Sequence, residues 1–333
     1  MSGVRAATPI DIRRVGGFLD EALRSRDAII GSTLPTPLAA GAIAGPLHLV
    51  PGLLGLRRRL RVYVEEQADR VRSAALVYEG RRAEWFVLVL AAHDEPGGPD
   101  GAFRLLSSLA AAAARRGMQR LYATVPDGES GASRTRETFF QAGFYSYTRE
   151  TWYVGARLGV AAGTAPSSAR PAVGSDAHDL FRFYAATTPD AVQRAEQLTM
   201  EDFDVRRRAG AFDPPHIAGG NPLAMRRHMT MIDGDELRAR AFAVSFRGSD
   251  HHPHVCKVRT EAAEVDLARE LIRATTHDLP PNRPVAAPVR SYEEHVARAL
   301  LAEGFQEAAT AMLFVKELAV RIEEPLLAPA VVR

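Results

Sequence analysis

The sequence predicts an α+β fold: a mixed α/β sheet built as two tandem units, each a mostly antiparallel central sheet with flanking helices. Three observations predict it. The chain is 333 residues long and 46% hydrophobic, enough to fill two cores of ordinary domain size. Segments of strand and helix character alternate along it. The order of elements in the first half returns in the second, at offsets of 161 to 168 residues.

Each half opens with a short strand, a turn carrying an aspartate, and an amphipathic helix. Arg5–Val15 aligns with Arg170–Leu180, Asp11 and Asp176 are expected helix N-caps, and Phe18 matches Phe183. Two further strands follow: Arg70–Gly80 with Glu84–Leu90, and Leu237–Gly248 with His252–Val258, with Gly80 and Gly248 marking the turns. A helix is expected over Ala102–Arg116, where Leu105, Leu106 and Leu109 recur at helical spacing and Gly117 closes the end, and over Glu261–Thr275. Strands Arg120–Val125 and Pro284–Val289 come next, then helices ending in Gly143-Phe144 and Gly304-Phe305. Final strands centre on Trp152-Tyr153-Val154 and Leu313-Phe314-Val315. The expected boundaries are a first domain at 1–157, a small-residue linker at 158–168, a second domain at 169–323 and a tail at 324–333.

Composition excludes several classes of function. Forty-two basic residues face 40 acidic ones, so no dominant positive field marks a nucleic-acid binder. Only two of the basic residues are lysines, Lys257 and Lys316, and that bias reads as base composition of the genome. A single cysteine, Cys256, excludes a disulfide framework within the chain. The stretch 28–56 lacks a formal charge and is long enough to span a bilayer, but Pro35, Pro37, Pro46, Pro51 and five glycines break it. It is expected to be an apolar loop with short helical turns, buried or lining a pocket. No apolar leader opens the sequence, and the expected location is the cytoplasm.

The layout resembles the GCN5-related N-acetyltransferase (GNAT) superfamily, twice in tandem. The residues that carry the resemblance are Arg5–Ile12, the strand Glu84–Leu90, the loop and helix start Gly97–Leu106, and Phe139–Phe144. The resemblance implies that the strand beginning at Glu84 splays from the strand at Arg120–Val125, and that the pantetheine arm of acetyl-CoA lies in the gap. The backbone of Val89, Leu90 and Ala91 would bond its amides. Gly97, Gly98, Gly101, Ala102 and Phe103 would hold its pyrophosphate at a helix N-terminus. The loop departs from the family pattern: Gly97 stands where Gln or Arg is usual and Asp100 where the first Gly is, while Ala102 fits. The second-half counterpart, Arg259–Glu264, has no glycine.

For the chemistry, an amine must lose a proton to attack a thioester, so a general base helps. The resemblance implies an acidic residue near the acceptor, and Glu84 stands there; His252 falls opposite it in the second half. The tyrosine that often protonates the departing thiolate is replaced by Phe139 or Phe140 and, in the second half, Leu300. His252, His254 and Cys256 alternate along one strand, but no second ligand group accompanies them, and no metal is expected. The expected function is transfer of an acyl group from acetyl-CoA to the primary amine of a small molecule, with no nucleic-acid or membrane partner. The alternative is a catalytically inactive GNAT-like scaffold that binds a ligand or protein partner.

Overall fold

The computed structural model describes residues 3–25, 28–29, 60–67, 70–80, 82–92, 101–127, 132–156, 168–206, 227–234, 238–248, 253–261, 264–281 and 283–319. Nearly all of the 28–56 stretch, Gly97, Gly98 and His252 therefore lie outside the described residues.

The first half runs β1 (Gly3–Ala6), α1 (Ile12–Ser25), β2 (Ala28–Ile29), β3 (Leu60–Gln67), β4 (Arg70–Glu79), β5 (Glu84–Ala92), α2 (Gly101–Arg115), β6 (Arg120–Asp127), α3 (Ala132–Gln141) and β7 (Tyr145–Gly155). The second runs β8 (Ala169–Pro171), α4 (Ala177–Thr187), α5 (Asp190–Glu196), β9 (Arg227–Asp233), β10 (Ala239–Phe246), β11 (His254–Thr260), α6 (Val265–His277), β12 (Val285–Arg290), α7 (Glu294–Ala302) and β13 (Gln306–Glu317). β11 starts two residues later than the sequence predicts, because Pro253 has no N–H to give a ladder. α6 likewise starts at Val265 rather than Glu261.

The repeat is legible atom by atom. Arg5 Nη1 meets Asp11 Oδ2 at 2.7 Å, and Arg170 Nη1 meets Asp176 Oδ2 at 2.8 Å. Each aspartate also accepts the N–H three residues back, of Thr8 or Val173, at 2.7 Å. Each aspartate directly precedes its α-helix, at the N-cap position that the sequence predicts, but its carboxylate reaches backwards and closes the preceding 3-10 turn, as the third residue of a capping box does. The helix ends also match. Phe144 N bonds Phe139 O and Phe305 N bonds Leu300 O, both at 3.0 Å, around Gly143 (φ +80°) and Gly304 (φ +83°). This is the Schellman stop, which needs a left-handed residue.

One continuous sheet crosses the molecule in the order β1-β3-β4-β5-β6-β13-β7-β12-β11-β10-β9-β8. Its centre is an exchange. β13, the last strand of the second half, lies between β6 and β7 of the first, antiparallel to both. β7 in turn pairs with β12 of the second half, from Val285↔Gly155 to Arg290↔Glu150. Helices cover both faces. α2 and α3 bury Leu105, Leu106, Leu109 and Phe139 against Trp85, Val87, Leu90 and Phe314. α6 and α7 do the same with Leu271, Ile272 and Val296 against Cys256, Val258 and Val289. On the opposite face α1 covers Val62, Val64, Leu76 and Val89, and α4 covers Phe242, Val244, Val255 and Trp152. Each fully buried leucine contributes about 2 kcal/mol by its removal from water.

Candidate functional site

The first-half cleft begins where two parallel strands part. β5 and β6 pair from Glu84↔Arg120 to Val87↔Ala123 and no further, although both strands continue. The cause lies on the other edge of β5. Between β4 and β5 the register steps from Leu76↔Val89 to Val77↔Val87, leaving Leu88 as an extra residue. Such a bulge bends its strand and re-aims the residues beyond it. The edge of β5 past Val87 is thus turned away from β6.

That edge is partly taken. Leu90 and Ala91 already pair with Ala75 and Ala74 of β4 on one side. β2 pairs antiparallel with the same two residues, Ile29↔Leu90 and Ala28↔Ala91, and so must lie on the side of the gap. Of the three residues predicted to face pantetheine, Val89 has no partner in β2. Gly101 and Ala102 open α2 and are buried, while Phe103 is exposed. The first turn of this helix has a resident anion nearby. Glu65, buried, receives Arg104 Nε at 2.7 Å and the Ser73 hydroxyl at 2.9 Å. A pyrophosphate at this helix start would share it with that carboxylate.

Glu84 sits at the closed end of the cleft. It is buried, and burial pushes its carboxyl pKa up, against the pull of Arg82, whose Nη2 lies 3.0 Å from Oε2. Gly80 makes the room, since a Cβ there would stand 2.5 Å from Glu84 Cγ. The groups that hold Arg82 and Tyr122 beside Glu84 come from the other half of the chain. Arg82 Nη1 donates to Gln197 O at 2.8 Å and approaches Asp202 at 3.7 Å. The Tyr122 hydroxyl donates to Ala195 O at 2.7 Å, and Phe86 stacks on Tyr122 with centroids 5.1 Å apart. α5 thus closes over the Glu84 end of the cleft. Phe139, at the place expected for a proton-donating tyrosine, is fully buried edge-on to Phe144 and serves the helix stop; Leu300 is buried at the matching stop.

The second-half cleft has a shorter ladder at its closed end. β11 and β12 pair only at His254↔Val285 and Val255↔Ala286. His254 is a structural ring. Its Nδ1 accepts Gly248 N–H at 2.9 Å, its Nε2 donates to Pro280 O at 3.0 Å, and burial lowers its pKa. Cys256 is buried and its thiol is pushed up to about 12 by burial, which makes it a poor nucleophile. Among the described residues no group of three or more His, Cys, Asp or Glu side chains is placed to hold a metal ion.

Sequence reasoning missed the polar cluster beside this second cleft. Lys257 and Arg259 on β11, Arg290 on β12, and Glu150 on β7 share the face covered by Tyr184 of α4 and Glu196 of α5. Arg290 Nε lies 3.1 Å from Glu150 and its Nη2 3.2 Å from Glu196, which also accepts the Tyr184 hydroxyl at 2.9 Å. Arg259 reaches Thr188 Oγ1 at 2.8 Å and Glu293 at 3.6 Å, and its guanidinium stands 5.2 Å from the Tyr184 ring centre. Lys257 was the available signal: a lysine inside a strand, in a chain with two.

No protein-family model matches the sequence, and no curated protein does. Among the described residues no helix is long and apolar enough to cross a membrane. Solved structures do match. A tandem GNAT protein from the clavulanic acid biosynthesis pathway superposes with a TM-score of 0.51 at 14% identity, over 97% of this chain and 100% of that one. A GCN5-related N-acetyltransferase from Sphaerobacter thermophilus gives 0.53 at 12% identity, over 97% and 98%. At such identities the likeness is one of fold, and it spans nearly the whole chain: the protein has the fold of the GCN5-related N-acetyltransferases, built twice in tandem.

Proposed function

We propose that the protein is an acyl-CoA-dependent N-acyltransferase that uses acetyl-CoA and a small primary amine, with the reaction in the first-half cleft. The observation that carries this reading is the parting of β5 from β6 after Val87↔Ala123, driven by the bulge at Leu88. A parted parallel pair leaves backbone N–H and C=O groups without a ladder, and an extended chain with amides can take them. The amine nitrogen attacks the thioester carbonyl, a C–N bond forms, the C–S bond breaks and CoA leaves as a thiolate. Glu84 takes the proton from the attacking amine through a water, and its raised pKa suits a base working near neutrality. Backbone N–H groups at the bulge would face the oxyanion.

The test is calorimetry with acetyl-CoA, followed by turnover with a panel of small amines. Binding lost in a Gly101→Trp variant places the cofactor at α2; no binding at millimolar acetyl-CoA ends the proposal. Glu84→Gln should lower turnover about 100-fold while leaving acetyl-CoA affinity within a few-fold. In the wild type, activity should rise with pH as Glu84 loses its proton, at a pH above that of an ordinary glutamate. The second reading, an inactive scaffold, is favoured by the pairing of β2 along the cofactor edge of β5; the calorimetry decides between them.

A further inference from the structure

Two lysines stand among 42 basic residues. Lys316 has an evident role, for its ammonium donates to Ala142 O at the end of α3 and lies 6.0 Å from the Phe144 ring centre. Lys257 makes no hydrogen bond or ion pair with any described residue. Yet it stands on the enclosed face beside the second cleft, among Arg259, Arg290, Glu150 and Glu196.

The anions around it are spoken for. Glu150 and Glu196 hold Arg290, and Glu196 also holds Tyr184. Glu293 holds Arg259 and accepts Arg290 N–H at 3.1 Å. The groups left over can all donate a hydrogen bond. Arg290 Nη1, the Tyr292 hydroxyl and Trp152 Nε1 are buried with no partner, and the half-buried Lys257 adds an ammonium that no described residue accepts. Buried donors without acceptors are costly, and their concentration in one place asks for a ligand rich in acceptor oxygens.

The first half serves as an internal control. Measured from the last paired residues, Val87 and Val255, Lys257 and Arg259 correspond to Val89 and Ala91. By the alignment of Arg120–Val125 with Pro284–Val289, Arg290 corresponds to Pro126. The fold is thus built in the first half with three apolar residues where the second has three cations, so the cations are not a requirement of the fold.

We propose that this face of the second half is a binding site for a small molecule carrying a carboxylate or phosphate group, held by Lys257, Arg290 and Tyr292. The site is independent of acyl transfer in the first half. Burial lowers the pKa of Lys257 and pushes Tyr292 up to about 12, as befits groups whose charge or proton has too little company in the free protein.

The lysine count makes the test direct. The full-length protein labelled with 13C,15N-lysine should give two side-chain signals, assigned by the loss of one in Lys257→Met. It is titrated with sodium acetate and, separately, inorganic phosphate, with chloride balancing the ionic strength. A saturable shift of the Lys257 signal alone is expected. Acetate acting alone assigns a carboxylate ligand, phosphate alone a phosphate ligand, and both an undivided oxyanion site. Tyr292→Phe removes only an unpartnered hydroxyl from the fold and should weaken the response about tenfold. Lys257→Met should hold or raise Tm while abolishing the stabilisation by the probe. The proposal is overturned if neither probe moves Lys257, if both lysines drift together without saturation, or if Lys257→Met lowers Tm.

Discussion

At the scale of the residue, the duplication is recorded in matching ion pairs. Asp11 and Asp176 each take an arginine fork and an N–H three residues back, and both carboxyls are held below the ordinary aspartate range, first by their arginine hydrogen bonds. A depressed carboxyl contributes stability above its unfolded pKa, about 3.9, and loses it as the pH falls through the folded value. Arg5 and Arg170 are well exposed, so solvent screens part of the attraction. Asp11→Asn and Asp176→Asn should each cost about 1–2 kcal/mol at neutral pH. Denaturant unfolding should show this deficit shrinking steadily below about pH 4; a deficit unchanged by acid would mean that the carboxylate charge is not its source. The arginine–aspartate spacing was visible in the sequence, but the direction of the cap was not, because N-cap and N3 aspartates differ by backbone angle and not by neighbours. The cluster around Lys257 was hidden for a related reason: alternation tells that Lys257 and Arg259 share a face, and nothing in it tells what stands across from that face.

At the scale of the element, strands β5 and β11 show what one position can change. The strands predicted over Glu84–Leu90 and His252–Val258 are both present and largely buried, and the Gly-Phe pairs located the ends of α3 and α7. The bulge at Leu88 was not legible, since an inserted residue in a strand buried on both faces leaves the pattern apolar throughout. Nor was β2, two residues long, which takes the edge that pantetheine would need. If the two compete for Leu90 and Ala91, acetyl-CoA binds only the fraction of molecules in which β2 has let go, and its apparent affinity falls by that fraction. Ile29→Pro removes the N–H at one of the two pairs and should release the strand. Calorimetry should then find acetyl-CoA binding tightened by about three- to tenfold, with the unfolding midpoint slightly lowered. An affinity unchanged by the substitution would mean that ligand and strand do not share the edge.

At the scale of the molecule, the sequence divides more cleanly than the structure does. Repeat offsets and the small-residue run near 158–168 predict a boundary between two units, and the named elements follow one another along each half in the predicted order, with β3 and β9 added. The exchange of β7 and β13 was out of reach, because a strand that pairs with its own half and one that pairs with the other half bury the same residues at the same period. Phe314 and Val315 would be apolar in either arrangement. The consequence is that neither half owns a complete sheet. β6 has β13 as its outer neighbour, and β12 has β7, so cutting the chain at 157 leaves each fragment with a central edge of unpaired backbone groups. Exposed edges of that length pair with whatever strand is at hand. Fragments 1–157 and 169–333 expressed alone should therefore be poorly folded or self-associated, and should form an equimolar complex with native-like circular dichroism when refolded together. The intact chain should melt in a single calorimetric transition, because the ladder at β6, β13, β7 and β12 couples the halves through backbone hydrogen bonds. Two well-separated transitions, or a stable monomeric 1–157 fragment, would show that each half keeps its own final strand in solution.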